Sequence, residues 1–211
     1  MASKAFIVMG RILKAGYEEL FFCVFMSIAW WIGTILILPA APVTLAMHKI
    51  ANRIANYKRV DRGFYWEAFW QYKGRGWLLY LVHLLLPATI WLNVWFYSQG
   101  GASWMRIIGI AWLWILLLVL MLLQYLFPLF WQQDEPDLKL VIRNAFLLAV
   151  RHPLYTLLML LFQIVWLVLS LALTLPIILL TPAVMAIGAN FALTGILQEM
   201  DLAPQPPVIT K

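Results

Sequence analysis

The chain has 211 residues, of which 64% are hydrophobic and only 11% are charged, whereas soluble globular domains carry about 25% charged residues. A water-soluble fold of this size could not bury so much apolar surface, so the composition excludes a soluble globular domain and indicates an integral membrane protein. The net charge of +6 does not indicate nucleic-acid binding, because seven of the fifteen Lys and Arg residues lie within 49–75, beside hydrophobic runs, where anionic lipid headgroups attract them.

The hydrophobic runs predict five transmembrane helices, since about 20 apolar residues are needed to cross the hydrocarbon layer. Pro39 and Pro42 end the first run, and Pro176 divides the last long run into a hairpin of two spans. The predicted spans are residues 20–38, 77–97, 107–131, 153–175 and 177–198.

The predicted fold is therefore all-α, a polytopic transmembrane helical bundle of about five spans with additional amphipathic helices at the cytoplasmic interface. A single membrane domain covers residues 1–202, and a Pro-rich C-terminal tail covers 203–211. The tail should be extended by itself.

Three segments between the spans are predicted to lie at the membrane interface. Residues 43–60 alternate apolar and basic residues at helical spacing, and 64–77 mix aromatic rings with basic residues, a combination that prefers the headgroup level. A simple aromatic belt explains the second segment, and a docking surface for a partner is the alternative. The third segment, 137–151, predicts an amphipathic helix with one apolar face formed by Leu138, Val141, Ile142, Ala145, Phe146 and Ala149.

The uneven distribution of Lys and Arg predicts the orientation. If 48–76, 132–152 and the C-terminal tail face the cytoplasm, they hold eleven basic residues, against four in the N-terminal segment and the 98–106 loop. This arrangement predicts a multi-pass membrane protein with the N-terminus outside and the C-terminus in the cytoplasm. If the first span is a re-entrant hairpin broken at Pro39, the N-terminus is cytoplasmic instead.

The predicted spans contain no Asp, Glu, Lys or Arg, which disfavours a proton-coupled transporter or pump. Four neutral polar residues lie at similar depths, about 9, 10, 12 and 15 Å from the cytoplasmic ends of their helices; they are His83, Gln124, Asn190 and Gln163. They either form hydrogen bonds that fix helix packing or line a binding pocket for a polar headgroup, a quinone or a small solute.

His83 is also a candidate ligand for haem or a chlorophyll-type magnesium. A bis-histidine haem needs a second buried histidine, and none is expected because His48 and His152 are predicted near the cytoplasmic interface. One histidine suffices for a chlorophyll-type pigment, while a hydrogen-bonded structural histidine is the simpler interpretation. The sequence requires no cofactor, but lipid, quinone and chlorophyll-type pigment are all compatible with it. Cys23, the one cysteine, cannot form an internal disulfide or a thiolate metal site, and no metal site is predicted.

Three segments carry a resemblance to a known family: LILPAAPVTLAM at 36–47, FYWEAFWQYK at 64–73 and NAFLLAVRHPLYT at 144–156. With them, most of residues 10–200 resembles the YesL-like family of bacterial integral membrane proteins, which are grouped under a domain of unknown function. The resemblance implies a companion of carbohydrate-uptake systems in the bacterial cytoplasmic (inner) membrane and supplies no catalytic residues.

No catalytic apparatus is recognisable, since there is no Walker loop, no GxSxG motif, no His/Cys metal cluster and no acidic pair in a span. We therefore expect a protein that is not an enzyme: a non-catalytic accessory or assembly subunit of a larger bacterial membrane complex. Its partners would be membrane lipids and other membrane subunits, not nucleic acid. The alternatives are a small transport component for a neutral solute, associated with sugar uptake, and a lipid-, quinone- or pigment-binding subunit of a photosynthetic or respiratory complex.

Overall fold

The fold is known from a computed structural model that describes residues 2–71, 73–133 and 135–207. Within these ranges the regular secondary structure is entirely helical. The helices, in chain order, are α1 (Ala2–Glu18), α2 (Leu20–Ile35), α3 (Ala40–Ala55), α4 (Arg62–Gln71), α5 (Lys73–Ser98), α6 (Ser103–Leu123), α7 (Leu126–Phe130), α8 (Leu138–Arg151), α9 (Pro153–Leu173), α10 (Leu175–Leu179) and α11 (Thr181–Glu199).

Four helical stretches of the described chain are long and apolar enough to cross a membrane: Gly76–Ser98, Ser103–Phe130, Pro153–Leu173 and Thr181–Glu199. A fifth candidate is the pair α1 and α2, which is bent by 86°. With 16 residues, α2 is about 24 Å long, shorter than the roughly 30 Å hydrocarbon layer. The all-α membrane-bundle prediction is confirmed, with four spans or five according to how this bent pair is counted.

The chain breaks between α9 and α11 instead of turning at one proline. Thr174 has a positive φ of 60° and ends α9, and Pro176 and Pro182 occupy the first turns of α10 and α11, where a missing N–H costs nothing. The predicted hairpin around Pro176 thus contains a short extra helix, α10.

Helix α11 forms the centre of the bundle, with thirteen of its nineteen residues buried. It packs against α1, α2, α3 and α9. Helix α3, which was predicted to be interfacial, has fourteen of sixteen residues buried. Its two cationic side chains lie at the edge of the core over aromatic rings, Lys49 over Trp131 at 4.4 Å and Arg53 over Phe64 at 3.6 Å.

The outer elements expose apolar surface. Helices α5 and α6 pack mainly on each other, and their exposed side chains include Trp91, Trp95 and Trp114. In the segment 64–77, Tyr65 is buried and Trp66 is exposed, while Tyr72 lies outside the described residues.

Helix α8 buries a narrower stripe than the sequence predicts. Val141, Ala145 and Ala149 are buried at a spacing of four, and Leu138 is partly buried. Ile142 and Phe146, predicted on the same face, are 43% and 56% exposed, because α6, α7 and α9 cover only one edge of the helix.

Both ends of the described chain meet beside α11. Lys4 Nζ lies 2.6 Å from Glu199 Oε1, and Arg11 Nη1 donates to Gln198 Oε1 at 3.1 Å. The tail folds back on this end, since Gln198 Nε2 donates to Pro204 O at 2.7 Å and Gln205 Nε2 donates to Gln198 O at 3.1 Å. Residues 208–211 of the predicted tail lie outside the described residues.

Candidate functional site

Three of the four predicted polar residues line one cavity. His83 of α5, Gln124 at the end of α6 and Gln163 of α9 surround a space of about 360 Å³. Helices α2, α3, α7, α10 and α11 complete its wall. The fourth residue, Asn190 of α11, is fully buried behind this wall and contacts the cavity through a histidine that the sequence analysis did not select.

That histidine is His48 of α3, which lines the cavity and is only 8% exposed. The expectation that His83 has no buried histidine as a partner is therefore wrong. The ring of His48 stacks on Phe127 at 4.6 Å, and the ring of His83 lies 5.2 Å from Phe127 on another side. His83 has an exposed side chain and so belongs to the open side of the cavity.

The hydrogen bonds of Asn190 determine the tautomer of His48. Asn190 Nδ2 donates to Ala186 O at 2.8 Å and lies 3.2 Å from His48 Nδ1. An amide nitrogen only donates, so Nδ1 of His48 accepts, and the proton of the neutral ring is on Nε2. Burial, with a smaller effect of neighbouring His83, lowers the pKa of His48 to about 3, so the ring is neutral at physiological pH.

Several polar atoms around the cavity lack partners within the described chain. Gln124 Nε2 donates to Met121 O and Thr156 O, both at 3.2 Å, and this leaves Gln124 Oε1 unpaired. Gln163 Nε2 and Asn190 Oδ1 are also buried without a hydrogen bond. A buried unpaired polar group costs about 1–3 kcal/mol, so a molecule that hydrogen-bonds to Gln124 or Gln163, which line the cavity, is favoured there.

Two tryptophans of α2 form an aromatic part of the wall. Trp30 Nε1 donates to Thr44 Oγ1 at 3.0 Å, and Thr44 Oγ1 donates to Ala40 O at 2.8 Å. Trp31 Nε1 donates to Ile177 O at 3.3 Å. These bonds attach α2 to α3 and α10 and hold both indole rings in fixed positions beside the cavity.

The cavity carries no charged side chain among its described lining residues. The described residues also contain no group of three or more His, Cys, Asp or Glu that could hold a metal ion. The chemistry available at this site is hydrogen bonding by imidazole and amide groups inside an apolar and aromatic wall.

His48 could have been found from the sequence of α3. Thr44, His48, Asn52 and Asn56 recur at a spacing of four, which places them on one helix face, and the structure buries all four. A polar stripe at this spacing indicates buried hydrogen bonding. The segment was instead predicted to lie at the membrane surface because the cations Lys49 and Arg53 follow His48.

Fold and cavity together define the class: an α-helical membrane protein with an uncharged, partly aromatic cavity inside its bundle. In comparisons with known proteins, no family model, no curated protein and no solved structure matches the chain. The resemblance to the YesL-like family therefore stays a prediction.

Proposed function

We propose that this protein is a non-catalytic subunit of a bacterial membrane complex that binds a neutral, lipid-soluble molecule in the cavity. The observation that carries this proposal is the convergence of His48, Gln124 and Gln163 from three helices on one uncharged space. Ligand cavities typically measure about 300–1,000 Å³ and combine an apolar wall with a few convergent polar groups. An anionic headgroup would find no cationic partner among the described lining residues, so a neutral ligand fits best.

The arrangement of the termini supports a refined orientation. The contact between Lys4 and Glu199 favours both termini on one side of the membrane, and four complete crossings require the same. We therefore propose that the N-terminus is cytoplasmic together with the C-terminus, in place of the opposite sides predicted from the five runs. The bent pair of α1 and α2 then enters the bilayer without crossing it.

Retention of a bound molecule tests the proposal. Met185 lines the cavity, and Met185→Trp adds volume there. The matched control is Val168→Trp, because Val168 is 57% exposed and does not line the cavity. Organic extracts of the protein purified in mild detergent are compared by mass spectrometry, with elution volume and helix content confirming the fold.

We expect one neutral compound, near equimolar with the protein, in the wild type and in Val168→Trp, and its loss in Met185→Trp. Identical extracts from all three proteins, or an extract that holds only bulk lipid in every case, would contradict the proposal.

A second candidate function, the passage of a neutral solute, is favoured by one observation. Two helices that follow chain interruptions contribute to the cavity wall: α2 follows the α1–α2 bend, and α10 follows the break at Thr174. Transporters place irregular backbone of this kind around their binding sites. Flux distinguishes the two functions. Proteoliposomes that accumulate a radiolabelled neutral sugar faster than empty liposomes favour transport, whereas equal rates favour a binding subunit.

A further inference from the structure

We propose that the cavity recognises a planar, uncharged ring bearing carbonyl oxygens, a quinone in chemical class, with His48 Nε2–H as a hydrogen-bond donor to one carbonyl. This inference rests on the proposed function and specifies its ligand. It also assigns Asn190 as a positioning residue that acts through His48.

The first step is the fixed direction of the donor. Asn190 is 0% exposed and is held by Ala186 O, so its Nδ2 is fixed beside His48 Nδ1. With Nδ1 accepting, His48 presents Nε2–H, and this N–H donates to no atom within the described chain. Since His48 lines the cavity, its free N–H is available to a ligand that accepts hydrogen bonds.

The second step is a further donor on a different helix. Gln163 is 7% exposed and lines the same cavity, and its Nε2 has no partner in the described part of the chain. This Nε2 lies on the Gly188 side of α9, so a turn of the Gln163 amide towards the cavity would give a second donor beside the His48 N–H. Two donors on α3 and α9 then complement a molecule with two carbonyl oxygens. A polyhydroxylated solute needs many acceptors, and Gln124 Oε1 is the one unpaired buried acceptor among the described lining residues.

The third step is the shape of the wall. Phe127 is held in place by stacking on His48, and the indoles of Trp30 and Trp31 are fixed by their hydrogen bonds. All three rings line the cavity, and aromatic rings pack favourably on another flat ring in offset or edge-to-face geometry. A flat, conjugated diketone can accept hydrogen bonds from the donors and pack against the rings. Because it is uncharged, it also partitions into the bilayer.

A matched pair of probes separates the carbonyl groups from the apolar body. The affinities of 2-methyl-1,4-naphthoquinone and of 2-methylnaphthalene are measured by equilibrium dialysis with the full chain in lipid nanodiscs, each corrected for partition into empty nanodiscs. We expect the quinone to bind about tenfold more tightly than the hydrocarbon, because only the quinone pairs the two donors. His48→Phe and Gln163→Leu should each reduce this preference several-fold while leaving the affinity for the hydrocarbon nearly unchanged.

The role of Asn190 has its own readout. The ¹⁵N chemical shifts of the His48 imidazole should show the Nε2–H tautomer in the wild type and a mixture of tautomers in Asn190→Leu, with a reduced preference for the quinone. The control is Asn93→Leu, because Asn93 Nδ2 donates to Thr89 O within α5 and does not line the cavity. This variant should match the wild type.

The outcomes distinguish the two proposals. Equal affinities for quinone and hydrocarbon in the wild type overturn the quinone inference but leave a cavity that binds neutral molecules. Binding of neither probe, together with purified protein that retains no neutral compound, overturns both. A quinone preference that survives in His48→Phe and Gln163→Leu places the recognition elsewhere and also contradicts the inference.

Discussion

Two glycines on α11 face neighbouring helices at different separations. A Cβ added to Gly188 would lie 3.6 Å from Gln163 Nε2 and 3.9 Å from Ile12 Cδ1, which is ordinary van der Waals contact. A Cβ added to Gly195 would overlap Tyr155 Oη and lie 3.1 Å from Val8 Cγ2. Small residues allow helix backbones to approach closely in membranes, and at Gly195 the approach depends on the missing side chain.

This difference predicts opposite effects for one substitution at two sites. Gly195→Ala must displace Tyr155, whose hydroxyl donates to Ala192 O at 3.1 Å, so we expect a loss of about 1–3 kcal/mol in the free energy of unfolding. Gly188→Ala fits its site and should gain up to about 1 kcal/mol from helix propensity. Thermal unfolding of both variants in the same detergent measures the difference, and equal midpoints would show that α1 and α9 relax away from α11.

At the residue scale, the sequence predicted the polar residues of the spans but not the histidine beside them. His83, Gln124 and Gln163 stand out because polar side chains are rare in apolar spans. His48 was missed because Lys49 and Arg53 follow it, and cations normally indicate the membrane surface. In the structure these cations lie over the rings of Trp131 and Phe64, a tertiary contact that no local pattern reveals.

At the element scale, apolar run length predicted most helices well and the interruptions poorly. Hydropathy predicts correctly that a helix begins near Leu20, because the residues that follow are apolar. It cannot show the 86° bend between α1 and α2. No proline marks that bend, and Gly16 lies inside α1, two residues before its end. Ser27 Oγ accepts a hydrogen bond from Ala183 N at 3.3 Å, so packing of α2 on α11 fixes the direction of α2. The early end of α2 at Ile35 precedes a left-handed residue, Ile37, with φ 62°.

The break between α9 and α10 gives a prediction about backbone strain. Thr174 is β-branched and has φ 60° and ψ −56°, a region in which non-glycine residues cost about 1–3 kcal/mol. Thr174→Gly should therefore raise the free energy of unfolding by about 1 kcal/mol. Ala172→Gly, two residues earlier and still inside α9, should lower it by about 1 kcal/mol.

Chemical unfolding of the two variants under one condition checks the opposite signs. Destabilisation by both glycines would show that Thr174 is not strained and that another contact ends α9. Because Ile177 of α10 accepts the hydrogen bond of Trp31, the same break also positions the aromatic wall of the cavity.

At the scale of the whole molecule, the charge distribution supports four crossings better than five. If both termini are cytoplasmic, Lys4, Arg11 and Lys14 join the eleven basic residues already on that side. Fourteen of the fifteen Lys and Arg residues then lie on the cytoplasmic side, and only Arg106 lies on the other. The five-span prediction placed eleven Lys and Arg residues on the cytoplasmic side and four on the other side. A first span at 20–38 puts the N-terminus, with its three cations, outside. An excess of Lys and Arg on the cytoplasmic side normally sets the orientation. This excess is much larger when both termini are cytoplasmic, the arrangement that the contact between Lys4 and Glu199 favours.

Cross-linking in intact membranes tests this orientation. In a Cys23→Ser background, which removes the one native cysteine, Lys4→Cys and Glu199→Cys replace the two members of the ion pair. A short, membrane-permeant bismaleimide should join these cysteines within one chain, because both lie at the same end of the bundle. The pair Lys4→Cys with Arg106→Cys serves as the control and should not be joined, since the bilayer separates the two positions. If position 4 is not joined to 199, and an impermeant maleimide labels it from the same side as 106, then α1 and α2 together cross the membrane and the N-terminus lies outside.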